Sequence, residues 1–277
     1  MLSVSLLFGA ALFPFYGVSK TAAASVVALR QLPRMLAWSA VVALISGTAW
    51  FMLAVAEIGG SNFWLWVARL TLGAVLAYLL MARHGRSRHV TIVLGSAALL
   101  VSLAGLSHDG TRSAAAAAVH IVVDVIHLVA SGVWIGALFV FALMLAPTAR
   151  ARSQSETQVV HDALAHFSGV GPGVVIALVL SGIANSGLIG PQNALQSFGS
   201  AYSQVLVAKI GLFLLMLALA AANRYWLTPK LQSALALGSD TQASIHALAA
   251  SIVAETALAV LVLAAVGWLG VLAPPGE

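Results

Sequence analysis

The sequence contains no cysteine, and only 8% of its 277 residues are charged. The absence of cysteine excludes disulfide bonds and thiolate metal sites, so any soft metal must be bound by histidine, methionine or carboxylate. Soluble domains carry about 25% charged residues, and disordered chains have low hydrophobicity. With 61% hydrophobic residues and a mean hydropathy of +1.01, the chain fits neither class.

The hydrophobic residues form long blocks, which are typical of helices that cross a membrane. A helix needs about 20 apolar residues to span the hydrocarbon core, whereas outer-membrane strands alternate apolar and polar residues. We therefore predict an all-α polytopic membrane protein, a single domain of eight transmembrane helices. The predicted spans are residues 1–19, 35–56, 63–82, 90–107, 114–147, 163–189, 203–226 and 246–272.

The basic residues lie between the hydrophobic blocks and predict the topology. Most of the 13 lysine and arginine residues follow the first, third, fifth or seventh predicted span. The positive-inside rule places these connections in the cytoplasm, so both termini are predicted to face outward. The net charge of +5 is therefore a topology signal, and no continuous basic patch indicates a nucleic-acid partner.

One face of the fifth predicted span is polar. A helix advances about 100° per residue, so a narrow stripe contains His120, Asp124, His127, Ser131 and Trp134. Ionisable residues inside a membrane are costly and typically mark a site or an ion pathway. Neighbouring members of the stripe are close enough to share a proton or a metal ion, whereas the two histidines are about 10 Å apart along the axis. The alternatives are a solvated His120 in a projecting helix end and a structural hydrogen bond between Asp124 and His127.

Three further polar residues are expected on the outer side. Glu57 ends the second span, either as an interfacial carboxylate or as a ligand, and His108 lies in a short outer loop, either as a ligand or as a solvated side chain. Lys209, within the outer part of the seventh span, either extends to the membrane surface or neutralises Asp124 or Glu57. These residues are the candidates for completing an outer vestibule.

Other polar residues are expected to pair between helices. Asn185 ends the sixth span level with His127, where it either bonds across helices or lines the vestibule. Glu255 is the acid inside the last span, and Asn223 and Arg224 end the seventh span on the same side. Either Glu255 and Arg224 form a structural ion pair, or Glu255 takes part in a proton or ion relay.

An ordered set of short motifs resembles those of a known family. The set begins with Asp124-x-x-His127-Leu128 and Gly132-Val-Trp134-Ile-Gly136, and continues with Phe167-Ser168, Ser181-Gly182, Lys209-Ile-Gly-Leu, Ala221-Ala-Asn223-Arg224 and Val253-Ala-Glu255. In this order the motifs are similar to those of the bacterial copper resistance protein D family (CopD, PcoD). Earlier in the chain, Leu6-Leu-Phe-Gly9-Ala-Ala-Leu-Phe13 resembles the family's first span, and Ser107-His108 resembles a Gly-His near the end of the fourth, with serine in place of glycine. The resemblance therefore covers nearly the whole chain.

The resemblance implies a bacterial inner (plasma) membrane protein of eight spans that moves copper, supplied by a small periplasmic carrier of the CopC type. It implies that His108, Asp124 and His127 bind copper or support its ligands, whereas His120 is added by its place on the helical stripe alone. Because cysteine is absent and outer methionines are scarce, the sequence favours a site of histidine and carboxylate, or one completed by the carrier.

These observations favour copper transport or homeostasis, with copper received at an outer vestibule around the polar stripe, His108 and Glu57, and then moved past Glu255. Uptake is the preferred direction, because the histidine-rich face points outward. Two alternatives are a membrane haem protein with two histidine ligands and a copper sensor or assembly protein that does not transport. No nucleophile elbow, Walker loop, zincin motif or dinucleotide fingerprint is present, so no enzymatic activity is expected.

Overall fold

The computed structural model describes residues 1–17, 31–54, 60–82, 88–104, 114–146, 153–189, 200–239 and 241–272, and every regular element in these ranges is helical. The α-helices are α1 (Leu2–Leu12), α2 (Leu32–Ala54), α3 (Gly60–Met81), α4 (Arg88–Val101), α5 (Ala114–Leu145), α6 (Gln154–Ile189), α7 (Ala201–Ala222), α8 (Thr228–Ala236) and α9 (Gln242–Leu269). A 3-10 turn (Phe13–Phe15) follows α1, and a π-helical segment (Asn223–Leu227) joins α7 to α8.

Helices form at all eight predicted places, but within the described residues not all of them have the length of a membrane span. Among the described residues, six helical stretches have the length and composition of a span: Leu32–Leu53, Phe63–Met81, Ala115–Leu145, Gln154–Ser186, Ala201–Ala236 and Gln242–Leu269. The apolar helices Leu2–Phe15 and His89–Val101 are shorter. At 1.5 Å per residue they are about 20 Å long, less than the roughly 30 Å hydrocarbon core. The predicted all-helical fold is confirmed, and the count of eight complete spans is not.

Helix α5 is the centre of the bundle. In its apolar stretch 61% of the sequence is buried inside the protein, against 28% or less in each of the other five long stretches. It packs against α1, α4, α6 and α9. Its C-terminal half is filled by Ala137, Val140, Phe141 and Met144, each at most 1% exposed. This position explains why the fifth span combines a long apolar sequence with the polar stripe.

The short helix α1 is buried against α5 through glycine. A Cβ at Gly9 would collide with the carbonyl of Gly132, and a Cβ at Gly136 would collide with the backbone of Gly9 and Ala10. Small residues four apart let two helix backbones approach closely. The close approach leaves Leu7 of α1 with no exposed surface, so α1 is part of the protein core and not only a lipid-facing span.

Helix α6 begins at Gln154, nine residues before the predicted start, because a capping box precedes it. The Ser153 N–H donates to Glu156 Oε2 at 3.1 Å, and the Glu156 N–H donates to Ser153 Oγ at 3.2 Å. Each side chain thus satisfies an amide that the first helical turn leaves unbonded. The Ser-x-x-Glu signal is present in the sequence, but the hydropathy boundary at residue 163 obscured it.

The seventh span continues ten residues beyond its predicted end at residue 226. The π-helical segment Asn223–Leu227 widens one turn, and α8 then carries the chain to Ala236 with Pro229 in its first turn. Proline lacks the amide hydrogen that a regular helix interior requires, so a change of helical geometry just before it is expected. The same segment aims Asn223 into the bundle, where its side chain is buried.

Candidate functional site

The polar stripe of α5 faces α6. The Nδ1 atom of His127 lies 2.9 Å from Ser181 Oγ, and Asn185 Nδ2 donates to Asp124 Oδ1 at 2.8 Å. The two helices are antiparallel, so the step from His127 back to Asp124 along α5 matches the step from Ser181 forward to Asn185 along α6. The other face of α5 at this level is apolar and exposed, and consists of Ile121, Val122 and Ile126. The stripe therefore points into the bundle and not toward lipid.

Asp124 is shared between an amide and an imidazole. Its Oδ1 atom lies 3.8 Å from His120 Nε2, and the two side chains are 22% and 7% exposed. We call His120, Asp124, His127, Ser181 and Asn185 the α5–α6 polar cluster. The direct Asp124–His127 hydrogen bond considered above is absent between these two described residues, because α6 offers each of them a closer partner. Asn185 bonds across helices to Asp124, which is one of the two roles predicted for it.

Lys209 of α7 belongs to the surroundings of this cluster. It is partly buried and interacts electrostatically with His127, as Asp124 does. Within the described residues no direct ion pair joins Lys209 to Asp124, so neutralisation by contact is not observed. The cluster therefore combines one acid, one nearby lysine and two imidazoles, and its charge balance depends on the state of the histidines.

The described part of the chain contains no group of three or more His, Cys, Asp or Glu side chains that could hold one metal ion. Asp124 and His120 offer two ligands of the types that suit Cu(II), and His127 lies a turn further along the same face. The other two predicted ligands, Glu57 and His108, lie outside the described residues. An ion at the cluster would therefore need ligands beyond this pair.

A second polar group lies two turns further along α5, about 10 Å away. Trp134 Nε1 donates to Glu255 Oε1 at 3.1 Å, and Asn223 Nδ2 donates to Glu255 Oε2 at 2.9 Å. We call these three residues the Glu255 cluster. Each of them is at least 93% buried, and they join α5, the π-helical segment and α9 in the interior of the protein.

The expected Glu255–Arg224 ion pair is not formed between these described residues. Asn223 and Arg224 are consecutive in the π-helical segment, so their side chains point in different directions and only one of them faces Glu255. The Arg224 Nη1 atom instead donates to the carbonyl oxygen of Ser168 on α6. Pro172 lies four residues later within that helix and has no N–H to offer this carbonyl. Arg224 therefore supplies the hydrogen bond that the proline removes.

We expect the effects of substituting Arg224 and Pro172 to be coupled. Arg224→Leu should cost about 1–3 kcal/mol of stability, because it leaves the Ser168 carbonyl without a donor. In a Pro172→Ala background the backbone N–H of residue 172 can donate to the Ser168 carbonyl, so Arg224→Leu should cost less stability there. Thermal unfolding of the wild type, both single variants and the double variant in detergent measures the coupling. Equal costs of Arg224→Leu in both backgrounds would refute the compensation.

Ser181 was not singled out as a site residue from the sequence. The signal that would have found it is its spacing of four from Asn185, which places both on one face of α6 opposite the stripe of α5. The carbonyl of Ser168 was also missed, because a backbone acceptor is invisible to a search for polar side chains. Its proline four residues later is the only local indication.

The haem alternative requires two histidines that meet, and His127 and His166 do not. His127 contacts Ser181 of α6, and His166 lies fifteen residues before Ser181 on that helix, roughly 22 Å away along its axis. His166 is exposed, and its Nδ1 lies 2.7 Å from the carbonyl oxygen of Asp162. These two histidines therefore cannot bind the same iron.

Six helical stretches in the described residues are apolar and long enough to cross a membrane, and the bundle encloses two layers of buried polar side chains. The chain is therefore a multi-pass membrane protein with ionisable groups in its interior. Residues 161–269 match the family model described as CopD, Copper resistance protein D. The chain is 31% identical over 293 residues to Copper resistance protein D of Pseudomonas syringae pv. tomato, an alignment that covers 98% of this chain and 93% of that protein. This chain belongs to the copper resistance protein D family, as its motifs predicted.

A second relative is the Inner membrane protein YebZ of Escherichia coli (strain K12). It is 29% identical over 191 residues, which cover 68% of this chain and 61% of that protein. No solved structure matches the chain.

Proposed function

We propose that this protein is an inner-membrane copper transport or homeostasis protein, which receives copper at the α5–α6 polar cluster and moves it across the membrane. Membership of the copper resistance protein D family supports the cargo. The name of the second relative supports the inner membrane as the location. The observation that carries the proposal is the inward turn of the stripe, which presents His120, Asp124 and His127 to the interior.

The cost of these groups argues for a function. Ionisable side chains within a span are expensive and usually line a pathway or site. A purely structural contact between α5 and α6 needs no histidine, since the apolar packing of the C-terminal half of α5 already holds the bundle. An incomplete set of ligands is what a transported ion requires, because an ion held in a closed cage leaves slowly.

The remaining ligands come from outside the pair formed by His120 and Asp124. We propose that His127, His108 and Glu57 contribute as copper enters, together with a periplasmic carrier of the CopC type. Under the topology predicted from the basic residues, the cluster lies in the outer half of the membrane and the Glu255 cluster lies deeper. Copper received at the outer side would thus move inward, so uptake is the proposed direction.

Copper binding tests the cluster directly. In purified protein, His120→Ala and His127→Ala should each lower copper affinity by at least about tenfold, as losses around a metal site typically do. His166→Ala is the matched control, because it removes an exposed histidine of α6 that lies far from Ser181 along the axis. Titration with Cu(I) and Cu(II) in separate series identifies the oxidation state. Unchanged affinity and stoichiometry in both cluster variants would remove this site.

Copper flux separates transport from the sensor or assembly alternative. Proteoliposomes that contain the wild type should accumulate copper, and those with His127→Ala should accumulate less at the same protein content. Binding without flux would favour a protein that senses copper or delivers it to a partner. Flux at the control rate in the variant would show that copper takes another route.

A further inference from the structure

The carboxyl group of Glu255 lies in an uncharged environment. Glu255 is 3% exposed, and its two hydrogen-bond donors, the indole of Trp134 and the amide of Asn223, are both neutral. A buried carboxylate without a compensating cation costs several kcal/mol. In such a place a carboxyl group is stable when a proton neutralises it.

The charged groups on the neighbouring elements either bond to other partners or lie far from Glu255. Arg224 donates to Ser168, and Lys209 is fourteen residues before Asn223 on α7, roughly 21 Å along the axis. The closest titratable group on α5 is His127, about 10 Å from Trp134. The remaining titratable groups on the elements packed against α9, and on α9 itself, are Tyr202, Tyr225, Lys230, His246, His120 and Asp124. In the described residues, the hydrogen bonds of Glu255 go to Trp134 and Asn223, which are not among these groups.

The Asn223 side chain can form a hydrogen bond with Glu255 both as a carboxylate and as a protonated carboxyl group. Its Oδ1 atom is buried and has no hydrogen-bond partner in the described part of the structure. An amide carries two donors on one side and an acceptor on the other. As observed, Nδ2 donates to a carboxylate oxygen; after a half-turn of the amide, Oδ1 accepts the O–H of a protonated carboxyl. The orphaned oxygen thus has a partner once Glu255 holds a proton.

The π-helical segment gives this amide its place. Asn223 is the first residue of the segment, at the point where the regular α7 helix ends. A widened turn of this kind inside a helix is found frequently at functional sites. Here it directs one neutral side chain to Glu255 and the following basic side chain to Ser168. Proton exchange therefore changes the local charge without a competing ion pair.

We propose that Glu255 and Asn223 form a proton-binding site in which a rotating amide accompanies the gain and loss of a proton. In the binding step a hydronium ion transfers its proton to one carboxylate oxygen and leaves as water, and on release the carboxyl O–H bond breaks and water takes the proton. Proton movement at this site accompanies copper movement through the bundle, a coupling that rests on the function proposed above. The hard oxygen donors of the site favour a proton over a soft copper ion.

Infrared spectroscopy tests proton binding without copper. The purified wild type should show a carbonyl band of a protonated carboxylic acid that disappears as pH rises, and Glu255→Gln should lack it. Glu255→Asp should retain a shifted band, which guards against loss of folding in the glutamine variant. Glu156→Gln is the matched control, since glutamine preserves the capping box at the start of α6 and the band should persist. A wild-type spectrum with no such band at any pH overturns the proposal.

Flux measurements test the coupling. Proteoliposomes loaded with a pH-sensitive dye should report proton movement together with copper accumulation in the wild type and in Glu156→Gln. Glu255→Gln should lose the proton signal and the pH dependence of copper flux. If copper moves with the same pH dependence in Glu255→Gln, the coupling is refuted while copper transport stands. If the carboxyl band is present and no copper moves in any preparation, the proton site stands and the proposed transport falls.

Discussion

Replacing Gly136 by leucine should prevent α1 from packing on α5 and leave little folded protein. The added side chain would collide with the backbone of Gly9 and Ala10, which cannot rotate aside as a side chain can. Overpacking of a core commonly costs about 1–3 kcal/mol when side chains can adjust, and a backbone collision should exceed that range. Because proteins are stable by only about 5–15 kcal/mol, the loss is a large fraction of the total. Yield of monodisperse protein and thermal unfolding in detergent measure it.

Gly211→Leu is the matched control for this experiment. A Cβ at Gly211 meets nothing within 4 Å, and the residue lies on the apolar span of α7. This variant should fold with wild-type yield and unfold at nearly the same temperature. A Gly136→Leu protein as stable as the control would show that α1 and α5 do not approach as closely as the structure indicates.

Replacing Asp124 by asparagine should abolish most copper binding while keeping the fold. The new amide oxygen still accepts the hydrogen bond from Asn185, so the contact between α5 and α6 is retained. The negative charge is lost, however, and with it the carboxylate that lies 3.8 Å from His120 Nε2. We expect copper affinity to fall by about 100-fold or more, at the upper end of the losses seen around metal sites. Copper titration of the purified variant measures the change.

Asp162→Asn is the control for the loss of charge, since it removes a half-exposed carboxylate from α6 away from the cluster. It should bind copper as the wild type does. If Asp124→Asn binds copper with unchanged affinity and its thermal unfolding is also unchanged, the carboxylate is a structural partner of Asn185 and the proposed copper site is wrong.

The location of the helices was predictable because hydrophobicity is a local property of the chain. Each hydrophobic block contains a helix, and the polar stripe of α5 follows from the helical repeat alone. The errors lie at the ends. The start of α6 depended on a capping box, and the seventh span continued to Ala236 through a π-helical segment and α8. The eight-span count is not confirmed, since in the described residues the helices of the first and fourth blocks are shorter than the other six.

The partners of the polar residues were less predictable, because each depends on a helix distant in sequence. Of the two roles predicted for Asn185, the bond across helices forms, and its partner is Asp124. Of the two alternatives for Glu255, the ion pair with Arg224 does not form, because a carbonyl freed by Pro172 accepts from the Arg224 guanidinium. No periodicity within α7 or α9 indicates which of two consecutive side chains faces the neighbouring helix.

By itself the sequence determined that this is an all-helical membrane protein of the copper resistance protein D family, with ionisable residues along one face of its fifth span. These features depend on composition, helical repeat and motif order, which are local. The tertiary structure alone decided that Ser181 bonds His127, that Asn223 rather than Arg224 meets Glu255, and that α1 is buried against glycine. These contacts arise from the rotation and depth at which whole helices pack, and many residues distant in sequence set them together.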